Sequence, residues 1–195
     1  MTKSVCLLAA TLSLAAQSFA VTAFQAVEIA RKQVNPYAAK SLVQIVGKSS
    51  AVSATPVEWQ ILFYDPSADQ SGTMVTVGGN VVTSIRDGYT QTDKVRVFAY
   101  KMEEIIDPAK LKIDSSRIIP LLQAEANLKG VKISSVGLWL RKEKKSPLAA
   151  PVWLVDLFGT NAKANKEVKF GTAKLDAETG KIIRLDVDLK EIDRE

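Results

Sequence analysis

Four carboxylates crowd the C-terminal part of the chain. Asp176 and Glu178 stand in Asp176-Ala177-Glu178-Thr179-Gly180, and Asp186 and Asp188 follow in Leu185-Asp186-Val187-Asp188-Leu189. Two such groups facing one cleft can act as general acid and base, and several together can hold calcium. The spacing does not match the EF-hand loop. An Asp that opens a turn ending in Gly is normally an acceptor for nearby backbone N–H groups. Asp186 and Asp188 alternate with Leu185, Val187 and Leu189, which is the pattern of a strand with one solvated face. These residues therefore read as turn and strand-face positions. No catalytic, metal-binding or cofactor-binding residue is assigned, and nothing marks which residues bind a partner.

What is missing narrows the chemistry further. The chain has 195 residues, no His and a single Cys, Cys6. Without His, Ser-His-Asp triads, Cys-His pairs and His-ligated zinc are excluded. Gly78-Gly79 does not run into a helix, so it lacks the geometry of a phosphate loop. Trp59, Trp139 and Trp153 offer aromatic faces for stacking. Trp59 and Trp153 read as anchors between a helix and a sheet. Trp139 is the better candidate for a surface contact, although core packing is its plainer reading. Arg141-Lys142-Glu143-Lys144-Lys145 is the densest charge run. It reads as a solvated hairpin tip, with contact to an anionic surface as the sharper alternative.

Residues 1–20, MTKSVCLLAATLSLAAQSFA, have the form of a signal peptide. Lys3 precedes a short apolar run, and Ser18-Phe19-Ala20 supplies the small residues that signal peptidase accepts. Cleavage is expected after Ala20, with Ala23 as the alternative. The run is shorter than the about 20 residues a membrane span needs, so no stable membrane insertion is expected after removal. Lipidation at Cys6 is disfavoured, because Lys3 stands where such a site carries Leu and the apolar run follows the Cys. The mature chain then has no Cys, hence no disulfide and no thiol nucleophile. The formal charge of +5 drops by one with Lys3. The remaining charge is spread out and no nucleic-acid-binding motif is present.

The elements follow from periodicity. Val21–Asn35 has the spacing of an amphipathic helix capped by Thr22 and ended by Asn35-Pro36. Strands are expected at Ser41–Ser50, Val57–Asp65, Gly72–Val77 and Val81–Ile85, the last two joined around Gly78-Gly79-Asn80. Lys94–Tyr100 alternates as a strand. Asp114–Lys129 reads as a second helix with Gly130 past its end and Pro120 harmless only in the first turn. Val131–Lys142, Pro151–Gly159, Glu167–Asp176 and Lys181–Asp188 complete the strands.

The two halves share one order: helix, strand, Trp strand, Gly-Thr strand, turn, final strand. Trp59-Gln60-Ile61 aligns with Trp153-Leu154-Val155, Gly72-Thr73 with Gly171-Thr172, and Gly79-Asn80-Val81-Val82 with Gly180-Lys181-Ile182-Ile183. Val152-Trp153-Leu154-Val155-Asp156-Leu157 and Lys174-Leu175-Asp176-Ala177-Glu178-Thr179-Gly180-Lys181-Ile182 carry a resemblance to the PepSY domain family of exported, peptidase-propeptide-like domains. It covers Ser115–Asp188 well and Val21–Ile85 less closely, where Gly78-Gly79-Asn80 is a shortened hairpin. The resemblance implies an α+β fold: two tandem repeats, each a helix packed on a small antiparallel sheet, cystatin-like in outline. The expected organisation is a signal peptide at 1–20, a first repeat at 21–88, a connecting segment at 89–114, a second repeat at 115–190 and a charged tail at 191–195.

The resulting expectation is a non-catalytic binding module, secreted or periplasmic, with a peptide or a cell-envelope protein as partner, engaged through a sheet edge or open face. The resemblance implies, in addition, restraint of a peptidase. The alternatives are a structural or assembly protein of the envelope and, further off, a hydrolase working with carboxylates alone. No cofactor and no nucleic acid are expected.

Overall fold

Residues 42–47, Leu-Val-Gln-Ile-Val-Gly, leave no room for a solvated face, and they become the buried centre of the molecule. The computed structural model describes residues 21–47, 55–88, 90–91, 94–95, 101–143, 148–161, 166–190 and 192. The expected signal peptide at 1–20 lies outside the described residues, as does the Lys144–Pro147 part of the charged hairpin tip. Strands run at β1 Leu42–Gly47, β2 Glu58–Tyr64, β3 Gly72–Gly78, β4 Val81–Asp87, β5 Thr90–Gln91, β6 Lys94–Val95, β7 Ser135–Lys142, β8 Pro151–Asn161, β9 Lys166–Asp176 and β10 Ile182–Val187. Of the expected strand Lys94–Tyr100, only the β6 residues are described; they pair with β5 in a small ribbon.

The other eight strands form a single antiparallel sheet in the order β10-β9-β8-β7-β1-β2-β3-β4. This overturns the expectation of two repeats, each a helix on its own small sheet. The seam is the β1–β7 pair, with Gln44 opposite Arg141, Ile45 opposite Leu140, Val46 opposite Trp139 and Gly47 opposite Leu138. Each half contributes a four-strand meander, and the meanders fuse along their first strands. Pairing removes an edge from each half, which is an exposure that isolated sheets must otherwise guard. One hydrophobic core runs beneath both meanders, from Ile61, Val75 and Trp59 to Trp153, Leu157 and Leu175.

Two helices lie on this inner face. α1, Ala23–Arg31, is shorter than expected at both ends. Thr22 and Gln25 form a capping box: the Thr22 hydroxyl accepts from the Gln25 N–H at 3.3 Å, and the Gln25 side chain accepts from the Thr22 N–H at 2.9 Å. Its buried side is Ala23, Ala26, Val27 and Ala30; three alanines let the helix sit close to the strands. α2 spans only Ile118–Gln123, between 3-10 turns at Ser115–Arg117 and Ala126–Leu128. Pro120 falls in its first turn, where a missing N–H costs nothing. The expected helix through Lys129 breaks at Glu125, whose backbone is extended. At about 100° per residue, an unbroken helix would turn Leu128 roughly 120° away from Leu122. With the break, both leucines are buried.

The two helix starts are tied together. Ser115 Oγ accepts from the Ala23 N–H at 2.9 Å, and Asp114 Oδ1 accepts from the Phe24 N–H at 3.1 Å. Residues of the connection to the second half thus satisfy N–H groups that α1 cannot satisfy itself. The connection also changes faces of the sheet. Ile105 packs against the outer-face cluster Val43, Leu62 and Met74, whereas Ile106 belongs to the main core and donates its N–H to the Leu42 carbonyl at 2.7 Å.

Both outer hairpins carry a bulge at matching places. Opposite β3, Thr83 is the extra residue between Val82 and Ser84; opposite β9, Ile183 is the extra residue between Ile182 and Arg184. Gly47 is required for close approach. A Cβ there would sit 2.5 Å from the Trp59 ring and 2.6 Å from Pro56, so the indole lies across the bare backbone of β1.

Candidate functional site

The inner face is filled, so the search for a site moves to the outer face, where the halves differ. In the first half the outward residues Gln44, Val46, Leu62, Met74 and Thr76 are buried. In the second half the outward residues of β8 and β9, Leu154, Asp156, Thr172 and Lys174, are half-exposed, alternating with buried Val155, Leu157, Ala173 and Leu175. The period of two fixes this division.

Register sorts the open side chains into two rows. One runs across the strands as Trp139, Leu154, Lys174, Arg184; the next as Gly137, Asp156, Thr172, Asp186. Between β8 and β10 these rows line a shallow cleft of about 340 Å³. Trp139 flanks it, its ring lying over Gly137, where a Cβ would meet the indole at 2.8 Å. Each charge in the cleft has a partner of opposite sign. Lys174 pairs with Glu143, Arg184 with Asp186, and Lys169 Nζ with Asp156 Oδ1 at 2.7 Å.

Asp156 and Asp186 share this cleft across Thr172, at two strand spacings or about 10 Å. Each already spends an oxygen on its own cation. The arrangement suits exchange of these ion pairs with a ligand's charges at a solvated surface, where a single exposed pair contributes little.

The residues singled out in the sequence scatter. Asp176 Oδ1 accepts from the Glu178 N–H at 2.9 Å, the Thr179 N–H at 2.8 Å and the Thr179 hydroxyl at 3.1 Å. Burial acts to raise its carboxyl, but these bonds outweigh it and hold the group below its ordinary value. Gly180, at φ +75°, completes the turn. Glu178 pairs with Lys112 at 2.7 Å, away from Asp176's bonded oxygen. Asp186 is in the cleft, and Asp188 lies beside Lys190 at 3.8 Å. Among the described residues, no three of His, Cys, Asp and Glu gather as metal ligands would.

Trp59 and Trp153 are buried anchors. The Trp59 indole N–H donates to the Val21 carbonyl at 2.9 Å, and that of Trp153 donates to the Ile113 carbonyl at 2.8 Å. Trp139 alone of the three stands on the open face. In the basic run, Arg141 is exposed and Lys142 donates to the Glu103 carbonyl at 3.2 Å. Burial, with Lys110 nearby, pushes the Lys142 amine below its ordinary value against the pull of Asp107.

Asp156, Lys169, Lys174 and Arg184 do not stand out in the sequence as candidate site residues. The signal was present as alternation within the strands, but which outward residues become neighbours depends on register. Asp65 reads in the sequence only as the end of the strand Val57–Asp65 and the start of a loop. It is buried and accepts from Asn35 Nδ2 at 2.6 Å, the Ser67 hydroxyl at 2.6 Å and the Ser67 N–H at 3.0 Å.

No family model and no curated protein matches the chain. The PepSY resemblance therefore rests on its short motifs alone. The solved structure of a candidate lipoprotein from Clostridium difficile 630 is similar to this chain with a TM-score of 0.54 and 15% identity, covering 90% of this chain and 98% of that one. At that identity the likeness is one of fold. Among the described residues, no helix is long and apolar enough to cross a membrane.

Proposed function

We propose that this protein is an exported, non-catalytic binding module that holds an extended segment of a peptide or cell-envelope protein on the open face of β7 to β10. The observation that carries this reading is the pair of rows on that face. Trp139 and Leu154 offer apolar contact, and Lys174, Arg184, Asp156 and Asp186 offer both signs of charge within one shallow cleft. Aromatic and Arg side chains are the groups that most often anchor protein partners. An extended segment laid along the strands would present side chains alternately, at the spacing of the rows. Export is supported by the signal-peptide form of residues 1–20, and the fold shared with a candidate lipoprotein agrees with a place in the envelope. If the bound segment belongs to a peptidase, occupancy would restrain it, as the PepSY resemblance implies.

The test uses tryptophan fluorescence. Trp59 and Trp153 are buried, so a ligand on the open face acts on Trp139. Extended decapeptides with alternating Lys and Glu around one aromatic residue are titrated into the purified protein. A saturable change that Trp139→Ala abolishes, and that Lys174→Glu weakens about tenfold, is expected. If no peptide produces a saturable change up to roughly millimolar concentration, the reading fails.

A further inference from the structure

Among the described residues, both ends of the sheet present strands paired on one side only, β4 and β10. They differ in chemistry. Ile183-Arg184-Leu185-Asp186-Val187 in β10 is a charge-complementary palindrome about Leu185. We propose that the β10 edge is a self-association surface that takes the β10 edge of a second copy of this chain, antiparallel and centred on Leu185.

In that register Arg184 stands opposite Asp186 of the second copy, and Asp186 opposite its Arg184, so two cross-strand ion pairs form at once. Leu185 meets Leu185, while Ile183, the bulged residue, lies outside the regular alternation. The faces agree with this pairing. Arg184 and Asp186 are both on the outer face, opposite Lys174 and Thr172 of β9, with side chains 73% and 52% exposed. Leu185 and Val187 are partly buried at the margin of the core, and Ile183 is 50% exposed. In the free edge Arg184 and Asp186 partner each other within the strand; on pairing they exchange to the facing copy, so the dimer and a ligand in the cleft compete for these two charges. The chain beyond β10 leaves the edge open where it is described, since the Asp188 N–H bonds the Phe170 carbonyl and Ile192 is buried beside Gly159.

β4 lacks this complementarity. Centred on Ile85, its self-pairing sets Arg86 against Ser84 and Asp87 against Thr83, with no ion pair. A β10 pair is isologous: the same edge is used by both copies, so the assembly closes as a dimer. Opposite charges facing each other across strands favour pairing, and like charges oppose it.

Sedimentation equilibrium on the purified protein, from roughly micromolar to millimolar, tests the proposal with a charge swap. The wild-type chain should dimerise reversibly, and more weakly as salt rises. Arg184→Asp and Asp186→Arg each replace two ion pairs by two repulsions and should weaken dimerisation about tenfold or more. The double variant R184D/D186R restores opposite charges in every facing pair and should restore the dimer. Far-UV circular dichroism and melting of all four proteins confirm that the monomer fold is retained, as expected for exposed side chains. A strict monomer throughout, a dimer indifferent to the single reversals, or a double swap that fails to restore it would overturn the proposal.

Discussion

The indole N–H of Trp153 donates to the carbonyl of Ile113, one residue before the Asp114 that caps the following helical turn. Trp59 does the same to Val21, one residue before the Thr22 cap of α1. In both places a fully buried ring on the second strand of a meander holds the start of a helical segment against the sheet. The rings fill the core, and their indole N–H groups find acceptors in the part-buried carbonyls of Val21 and Ile113.

Trp153→Phe should destabilise the protein by about 2 kcal/mol, from the orphaned Ile113 carbonyl and the smaller ring, and Trp153→Ala by about 4 kcal/mol. Trp59→Phe should cost a similar amount. Urea unfolding at constant slope checks this. A Trp153→Phe chain as stable as the wild type would show that the bond contributes nothing.

The bonds from Ala23 to Ser115 and from Phe24 to Asp114 join the two halves on the inner face, as β1 and β7 join them in the sheet. The protein should therefore unfold in one cooperative transition, with circular dichroism and tryptophan fluorescence coincident. Asp114→Ala removes an acceptor from both helix starts and should lower stability by about 1–2 kcal/mol while keeping a single transition. Two separated transitions in the wild-type protein would contradict this coupling.

Local chemistry explains which parts of this architecture were legible in the sequence. The turn from Asp176 to Gly180 needs an acceptor and a positive φ, and both are written in the residue types. The Trp strands and their partners followed from alternation. The fusion at β1 and β7 did not, because Val46 and Trp139 become neighbours only through pairing across more than ninety positions. Residues 42–47 did carry a hint: a run apolar on both sides suits a strand covered on both faces. The break at Glu125 was hidden for a similar reason, since it serves the burial of Leu128, and helix periodicity alone favours continuation. The cleft had the least visible signal. Asp156, Lys174 and Arg184 look like ordinary solvated strand residues until the register sets them side by side.

Asp65 makes the acid side of the stability profile predictable. Burial acts to raise its carboxyl, but the bonds from Ser67, Asn35 and Thr73 outweigh it and hold the group below its ordinary value. The folded chain therefore binds fewer protons here than the unfolded chain at mildly acid pH. This contribution to stability is fully present above the unfolded value of about 4, and it is lost as pH falls through the lower folded value. Asp176 acts in the same direction. Asp65→Ala should cost about 2 kcal/mol at neutral pH, because the Asn35 and Ser67 donors lose their acceptor. It should also flatten the fall in stability below about pH 4. Urea midpoints of both proteins between roughly pH 2 and pH 7 measure the difference. If the two curves stay parallel across the acid range, Asp65 is not held ionised by the fold and the hydrogen-bond account of this loop is wrong.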